Sequence, residues 1–258
     1  MKVGICKFCG NKKELICAHI IPKSFYPADE NGSRRQINFD VRGTQLSSQL
    51  QNGFFDSNLV CRKCEDLFNA GDNYAKNLLI DRRSEGVRKT DSGKTYFEYS
   101  NVDYKLIKLF FISLLWRAHA TSLPYFQAVN IGANDEAIAR TMICNKDPGL
   151  PDHFAVFMLR IADGPLGQIS PSPTQCNFPP NNVCAYEFVL FGYIAYVKLG
   201  LQPFGSPFKD VQLAPGIPFR MLEREIERTP HFRSAKEAIL KNDATKKSIA
   251  ESRARGAK

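Results

Sequence analysis

Apolar residues cluster in a few stretches of the chain, and these stretches predict its main elements. Residues 103–122 are rich in Leu, Ile and Phe and predict a long helix. The most apolar part, residues 109–116, is too short to cross a bilayer, so we expect this helix to be buried. Residues 154–161 predict a strand. Residues 186–197 are aromatic and β-branched, which predicts a strand or a hairpin with Gly192 near its turn or at a bulge.

Polar stretches rich in turn-forming residues separate these elements. Residues 27–35 predict a loop, residues 84–95 a loop or hairpin that marks a boundary, and residues 164–182 a further loop. A helix followed by strands indicates an α+β domain. We therefore predict an α+β fold in three parts: an N-terminal zinc-containing module at 1–95, a mixed α+β domain of unknown role at 96–230, and a basic helical or disordered tail at 231–258.

The charge of the chain suits a polyanionic partner such as DNA. The 258 residues have a formal net charge of +9, and the excess of Lys and Arg lies in the N-terminal module and in the tail. The first residues carry no apolar signal segment, so we expect a cytoplasmic protein that does not bind membranes. In a reducing compartment, cysteines are more often metal ligands or core residues than disulfides.

Two cysteine pairs give the clearest chemical signal. Cys6 and Cys9 form one C-x2-C pair, followed by Gly10, and Cys61 and Cys64 form the second. Two intervening residues let one tight turn direct both thiolates at a single tetrahedral ion, and four thiolates complete a structural Zn2+ site. One disulfide per pair, or a redox role for each pair, is the alternative, but neither pair has a thioredoxin-like context. We therefore predict structural zinc held by all four cysteines.

The residues between and around the pairs resemble the HNH endonuclease family. His19 ends a short apolar strand and is followed by Ile-Ile-Pro, which fits the His-Ile-x-Pro pattern of that family. The motifs Ala-His-Ile-Ile-Pro-Lys and Cys-x2-Cys-Glu are most similar to a bacterial sub-group associated with mobile elements and anti-phage defence. The resemblance covers residues 6 to about 75. It implies a ββα-metal fold that carries a two-knuckle zinc site.

By this resemblance the protein is a metal-dependent DNA endonuclease or nickase. His19 would be the general base that takes a proton from the attacking water, a role that needs a neutral imidazole near pH 7. Mg2+ or Mn2+, held by hard oxygen or imidazole ligands, would stabilise the charge that develops on the phosphate oxygens.

Three positions depart from the family pattern. Ala18 stands where the family has a metal-binding Asp or His, Asp56 where it has Asn, and Glu65 where it has a final His. Because carboxylates can hold Mg2+ in place of imidazole, Asp56, Asn58 and Glu65 join His19 as predicted catalytic residues. Three residues recur at helical spacing after the second pair and are predicted to hold the catalytic ion: Glu65, Asn69 and Asp72.

Simpler interpretations and other functions stay open. His19 can be a packing residue, Asp56 with Asn58 can form a turn, and Glu65 can interact with the helix macrodipole. Predicted nonspecific phosphate contacts are Lys23, Arg34 and Arg35. The alternative functions are a catalytically inactive zinc-containing DNA-binding or adaptor subunit, a nuclease that acts on RNA, and a component that binds a partner protein through residues 96–230.

Overall fold

One long buried helix organises the fold. This helix, α3 (Tyr104–Ala120), begins at Asp103, whose side chain accepts a 3.0 Å hydrogen bond from the backbone N–H of Leu106. Its residues from Phe110 to Ala118 are all buried, which confirms the helix predicted at 103–122.

The computed structural model describes residues 2–26, 37–39, 46–47, 53–91, 93–161 and 169–225. No helix within those ranges has both the length and the apolar character needed to cross a membrane.

Short strands and helices form the N-terminal part. Its elements are β1 (Lys2–Ile5), β2 (Lys12–Leu15), β3 (Ala18–His19), β4 (Ile37–Phe39), β5 (Leu46–Ser47), β6 (Phe55–Asp56), α1 (Arg62–Glu65) and α2 (Asn69–Lys76). β1 and β2 form an antiparallel hairpin, β3 pairs antiparallel with β6, and β4 pairs antiparallel with β5. A π-helical turn at Asn77–Asp81 extends α2.

A seven-stranded sheet forms the larger part of the protein. The remaining elements are β7 (Val87–Asp91), β8 (Lys94–Tyr99), α4 (Gly132–Asn145), β9 (Val156–Ile161), β10 (Ile169–Pro171), β11 (Thr174–Phe178), β12 (Val183–Leu190), β13 (Tyr193–Lys198) and β14 (Phe219–Arg224). The order in the sheet is β11-β12-β13-β9-β14-β8-β7. Only the β9–β14 pair is parallel. β10 lies outside this sheet and pairs in parallel with β4.

Two predicted strands are confirmed, and one predicted loop is wrong. β9 occupies the strand predicted at 154–161. Residues 186–197, predicted as a strand or a hairpin, are a hairpin formed by β12 and β13. Its two turn residues both have positive φ, 41° at Phe191 and 79° at Gly192, as the right-handed twist of a tight hairpin requires. The loop predicted at 164–182 contains β10 and β11, because pairing with distant strands overrides its turn-rich composition.

The predicted boundary near residue 95 falls inside β8. This strand pairs with β14, so that Tyr99 lies opposite Phe219. The hairpin β7–β8 therefore belongs to the sheet. The cysteine-rich part and the sheet also share one apolar core, in which the ring of Phe8 lies 4.8 Å from that of Trp116 on α3. The far face of the sheet is covered by a second cluster of aromatic rings: Phe157, Phe178, Tyr196, Phe204 and Phe208.

Candidate functional site

Two turns bring the four cysteines of the predicted metal site together. The Sγ atoms of Cys6, Cys9, Cys61 and Cys64 all lie within 4.8 Å of one another. Four thiolates bound at about 2.3 Å to a tetrahedral zinc ion lie about 3.8 Å apart. The cluster can therefore hold a metal ion such as zinc with small adjustments of the side chains.

Local backbone structure fixes the two cysteine pairs. The first pair lies in the β1–β2 loop, where Gly10 has a φ of +73° and its N–H donates a 2.8 Å hydrogen bond to the Cys6 carbonyl. The second pair lies at the start of α1, and the N–H of Cys61 donates to Cys6 Sγ at 3.4 Å. Leu15 of β2 forms a bridge with Cys61, so the hairpin and α1 are held in register.

The thiols of the cluster differ in acidity. Burial raises the pKa of the Cys6 and Cys64 thiols. At Cys9 burial acts in the same direction, but hydrogen bonds from the Asn11 backbone and from the neighbouring thiols outweigh it and lower the pKa to about 7. Cysteine binds metal as the thiolate, so metal binding here is coupled to proton release from the buried thiols.

His19 lies on β3, opposite Phe55 of β6. The two rings meet edge to face with their centroids 6.3 Å apart, and the imidazole is half-buried. The backbone carbonyl of His19 accepts a 3.1 Å hydrogen bond from Nη1 of Arg117. The strand that carries His19 is thereby fastened to α3.

Glu65, the last residue of α1, is partly buried, and one of its carboxylate oxygens is enclosed by the protein. Its Oε2 atom is buried and makes no hydrogen bond to any residue that the structure describes. Burial raises the pKa of Glu65, an effect that the charge of Arg117 opposes and that of Asp72 reinforces. A buried carboxylate oxygen without a hydrogen bond is unfavourable, and a bound cation would satisfy it.

Asp72 on α2 forms a two-pronged ion pair with Arg117 on α3. Arg117 Nη1 donates to Oδ2 at 2.9 Å, and Nη2 donates to Oδ1 at 2.7 Å. Arg117 is fully buried, and its guanidinium lies 5.1 Å from the centre of the Phe68 ring. Arg117 has no predicted function from the sequence alone. The signal that could have identified it is its place as a charged residue directly after the apolar run 109–116 of a helix predicted to be buried.

Asp56 lies on the opposite face of the β3–β6 ladder from His19, because neighbouring residues of a strand point to opposite faces. Its Oδ2 accepts hydrogen bonds from Thr121 Oγ1 at 2.7 Å and from the N–H of Ser122 at 3.3 Å, and its Oδ1 accepts one from the N–H of Asn58 at 2.7 Å. Burial raises the pKa of Asp56, but these hydrogen bonds outweigh it and leave the pKa below its usual value. The carboxylate therefore ties β6 to the end of α3.

The predicted amide residues are both exposed. Asn58 accepts a 2.6 Å hydrogen bond from Lys2 Nζ. Asn69 donates to Asp66 Oδ1 at 3.2 Å, in the turn that separates α1 from α2. Because this turn interrupts the helix, the predicted set of Glu65, Asn69 and Asp72 does not lie on one continuous helix face, and only the two acids interact with Arg117.

The structure describes one of the three predicted phosphate-binding residues. Lys23 is exposed in the turn that follows β3, whereas Arg34 and Arg35 lie outside the described residues.

In comparisons with protein-family models, curated proteins and solved structures, nothing matches the chain. The residues themselves show a four-cysteine cluster that can bind a metal, followed directly by the partly buried Glu65, whose neighbour Asp72 is paired with the fully buried Arg117.

Proposed function

We propose that the protein is a divalent-metal-dependent DNA endonuclease or nickase of the HNH type. The order of the elements supports this proposal: β3 carries His19, β6 pairs with it, and α1 follows with Glu65 directly after the second cysteine pair. Structural Zn2+ in the four-cysteine cluster would fix the start of α1. A role in anti-phage defence or in a mobile element belongs to the same proposal and rests on the motif resemblance.

The buried Glu65 carboxylate is the observation that carries the proposal. Its Oε2 atom lacks a hydrogen bond among the described residues, whereas Arg117 engages both oxygens of the neighbouring Asp72. Glu65, with Asp72 beside it, would be the residue to hold a hard cation. Mg2+ or Mn2+ held there would stabilise the charge that develops on the phosphate oxygens.

Protein residues would carry out the proton transfer and position the site. His19 takes a proton from the water that attacks phosphorus, which requires a neutral imidazole near pH 7. Arg117 positions both sides of the site, because it donates to the His19 carbonyl and pairs with Asp72. Asp56 faces away from His19, so the proposal assigns the chemistry to His19 and Glu65.

Nicking of supercoiled plasmid in Mg2+ or Mn2+ tests the proposal. The wild-type chain is expected to nick or linearise the plasmid, and His19→Ala and Glu65→Gln are expected to lower the rate at least about 100-fold. Lys94→Gln, an exposed change in the β7–β8 hairpin, is the matched control and should keep the rate. Absence of cleavage by the wild-type chain in either ion, with DNA binding retained, would contradict the enzyme.

One observation favours the inactive DNA-binding or adaptor subunit as the second candidate. Ala18 is fully buried and offers no ligand, and Arg117 occupies both oxygens of Asp72. In that case the chain binds DNA and does not cleave it.

A nuclease that acts on RNA is the remaining alternative within the enzyme class. Cleavage of labelled RNA in the same assay would identify it.

A further inference from the structure

Two neighbouring clefts run along the helices that follow the second cysteine pair. The larger, of about 720 Å3, lies between the β1–β2 hairpin, α1 and α4. The smaller, of about 200 Å3, lies between α2, α3 and α4. Leu67, in the turn between α1 and α2, lines both clefts. The two clefts therefore adjoin at Leu67, and together they are called here the Leu67 groove.

Cations outnumber acids along the Leu67 groove. The cationic side chains that line it are all exposed: Lys13, Arg62, Lys63, Lys105 and Lys146. One acid, Glu14, lines it as well. Within the described part of the chain, none of the five cations forms an ion pair. A zinc ion with four thiolates carries a charge of about −2, and the groove keeps a positive excess even then.

Much of the floor of the groove is apolar, although Cys9, Cys61 and Cys64 of the four-cysteine cluster also line the larger cleft. Ile16, Leu67, Leu106 and Leu109 are partly buried there, and the aromatic ring of Phe8 is almost fully covered. No exposed aromatic ring lines the groove in the described residues, so stacking on unpaired bases has no platform. Unpaired cations along an apolar floor suit a ligand that is recognised by its negative charge alone.

We propose that the Leu67 groove binds the phosphodiester backbone of duplex DNA. A peptide laid in a groove needs a row of backbone hydrogen-bonding partners or deep side-chain pockets, and along α2, α3 and α4 the interior backbone groups are paired within the helices. A phosphate backbone needs only the cations, whose neutralisation releases counterions. Such binding positions DNA without reading its sequence.

Neither His19 nor Glu65 lines the groove, but two of its cations lie on the helix that carries Glu65. Arg62 and Lys63 lie on the first turn of α1, and Glu65 ends the same helix. A DNA strand held along α1 is therefore brought to the helix that carries the site. The choice of DNA as ligand rests on the proposed function, whereas the location rests on the groove and its charges.

Fluorescence anisotropy on the full-length chain tests the groove. The probe is a fluorescein-labelled duplex without Mg2+, and the background is His19→Ala, so that binding is measured without cleavage. The groove variant Lys13→Gln/Lys105→Gln removes one cation from each cleft, at positions outside the cysteine pairs. The control variant Lys94→Gln/Lys209→Gln removes the same charge from exposed lysines that do not line the groove.

The groove variant is expected to weaken DNA binding at least about tenfold relative to the control variant. It should also reduce the slope of log Kd against log salt by about 2, one for each lost phosphate contact. Equal affinities and equal salt slopes for the two variants would overturn the proposal. So would a groove variant that keeps DNA binding and loses binding to labelled poly-glutamate, since the groove would then take an acidic peptide.

The binding and cleavage experiments distinguish failure of the groove proposal from failure of the nuclease proposal. Binding that depends on the groove, in a chain that cuts no plasmid, supports the groove and contradicts the enzyme. Cleavage that the groove variant performs as well as the control variant, with equal DNA affinity, supports the enzyme and overturns the groove.

Discussion

Arg117 on α3 and Asp72 on α2 are joined by two hydrogen bonds, of 2.9 and 2.7 Å, and the guanidinium is wholly removed from solvent. The same group donates to the carbonyl of His19 on β3. A buried ion pair adds little net stability compared with an apolar pair, but loss of one partner is costly because the other charge stays buried. Its main effect here is to fasten α2 and β3 to α3 at one point.

Arg117→Ala is expected to destabilise the protein by about 3–5 kcal/mol, because it leaves the Asp72 carboxylate without its partner. Urea unfolding followed by circular dichroism measures this loss. Arg82→Ala breaks the more exposed pair with Glu85 and serves as the control, with an expected loss below about 1 kcal/mol. A loss at Arg117 no larger than the loss at Arg82 would show that the buried pair does not hold the fold together.

Cys61→Ala is expected to lower the zinc content of the purified chain by about one ion per molecule. Three thiolates bind structural zinc much more weakly than four, and zinc binding contributes directly to the folding free energy. The zinc content, measured by metal analysis, and the Tm should therefore both be lower in Cys61→Ala than in the wild-type chain. Cys17→Ala, which removes an exposed cysteine outside the cluster, is expected to leave both unchanged. Equal zinc content in the two variants would count against the four-cysteine site.

Asp56→Asn is expected to destabilise the protein by about 1–3 kcal/mol near pH 7, because Thr121 and Asn58 lose a charged acceptor. The folded-state pKa of Asp56 lies below its usual value of 3.8. Its contribution is therefore complete above pH 3.8 and is lost as the pH falls through the folded-state pKa. Plasmid nicking per folded molecule should be unchanged. A variant of normal stability that cuts no DNA would instead assign Asp56 to catalysis.

Because of two buried lysines, we expect the free energy of unfolding to rise with pH in the alkaline range. Lys108 Nζ donates to the carbonyl of Leu150 at 2.5 Å, and Lys198 Nζ donates to that of Gly200 at 2.6 Å. Burial lowers the pKa of both lysines to about 8, against the attraction of Asp152. Because the unfolded chain keeps the ordinary value of 10.5, it binds more protons than the folded chain between pH 8 and about 10.

The free energy of unfolding should therefore increase from pH 7.5 to 9.5 by at least about 1 kcal/mol, as measured by urea titration. Lys108→Met removes one of the two groups and should make the rise smaller. Lys94→Met, at an exposed lysine, should leave the rise intact. Identical pH profiles for the two variants would show that Lys108 does not lose its charge in the folded protein.

Local patterns in the sequence were sufficient for several elements of the fold. The C-x2-C spacing identified four cysteines that do converge, because two residues between ligands suffice for one turn. The apolar run of α3 and the hairpin β12–β13 were also recognisable, since each is set by residues close in sequence. The histidine and acids of the candidate site were chosen by motif, and their catalytic roles stay a prediction.

Features that depend on distant parts of the chain were not predictable in this way. β8 pairs with β14, more than 100 residues away, and nothing in residues 84–95 signals that partner. Arg117 acquires its role only when α3 packs against α2 and β3. The different orientations of Asp56 and His19 likewise follow from the pairing of β3 with β6, which a long connection separates.

The position of β14 in the sheet has a consequence for how the chain must be made. This strand is the last described element, yet it lies between β9 and β8, in the interior of the sheet. During synthesis the β7–β8 hairpin and the block of β9, β11, β12 and β13 therefore exist as two pieces with open edges until residues 219–224 leave the ribosome. Open edges pair readily with other chains, so a nascent or truncated molecule that ends before β14 is the aggregation-prone form of this protein.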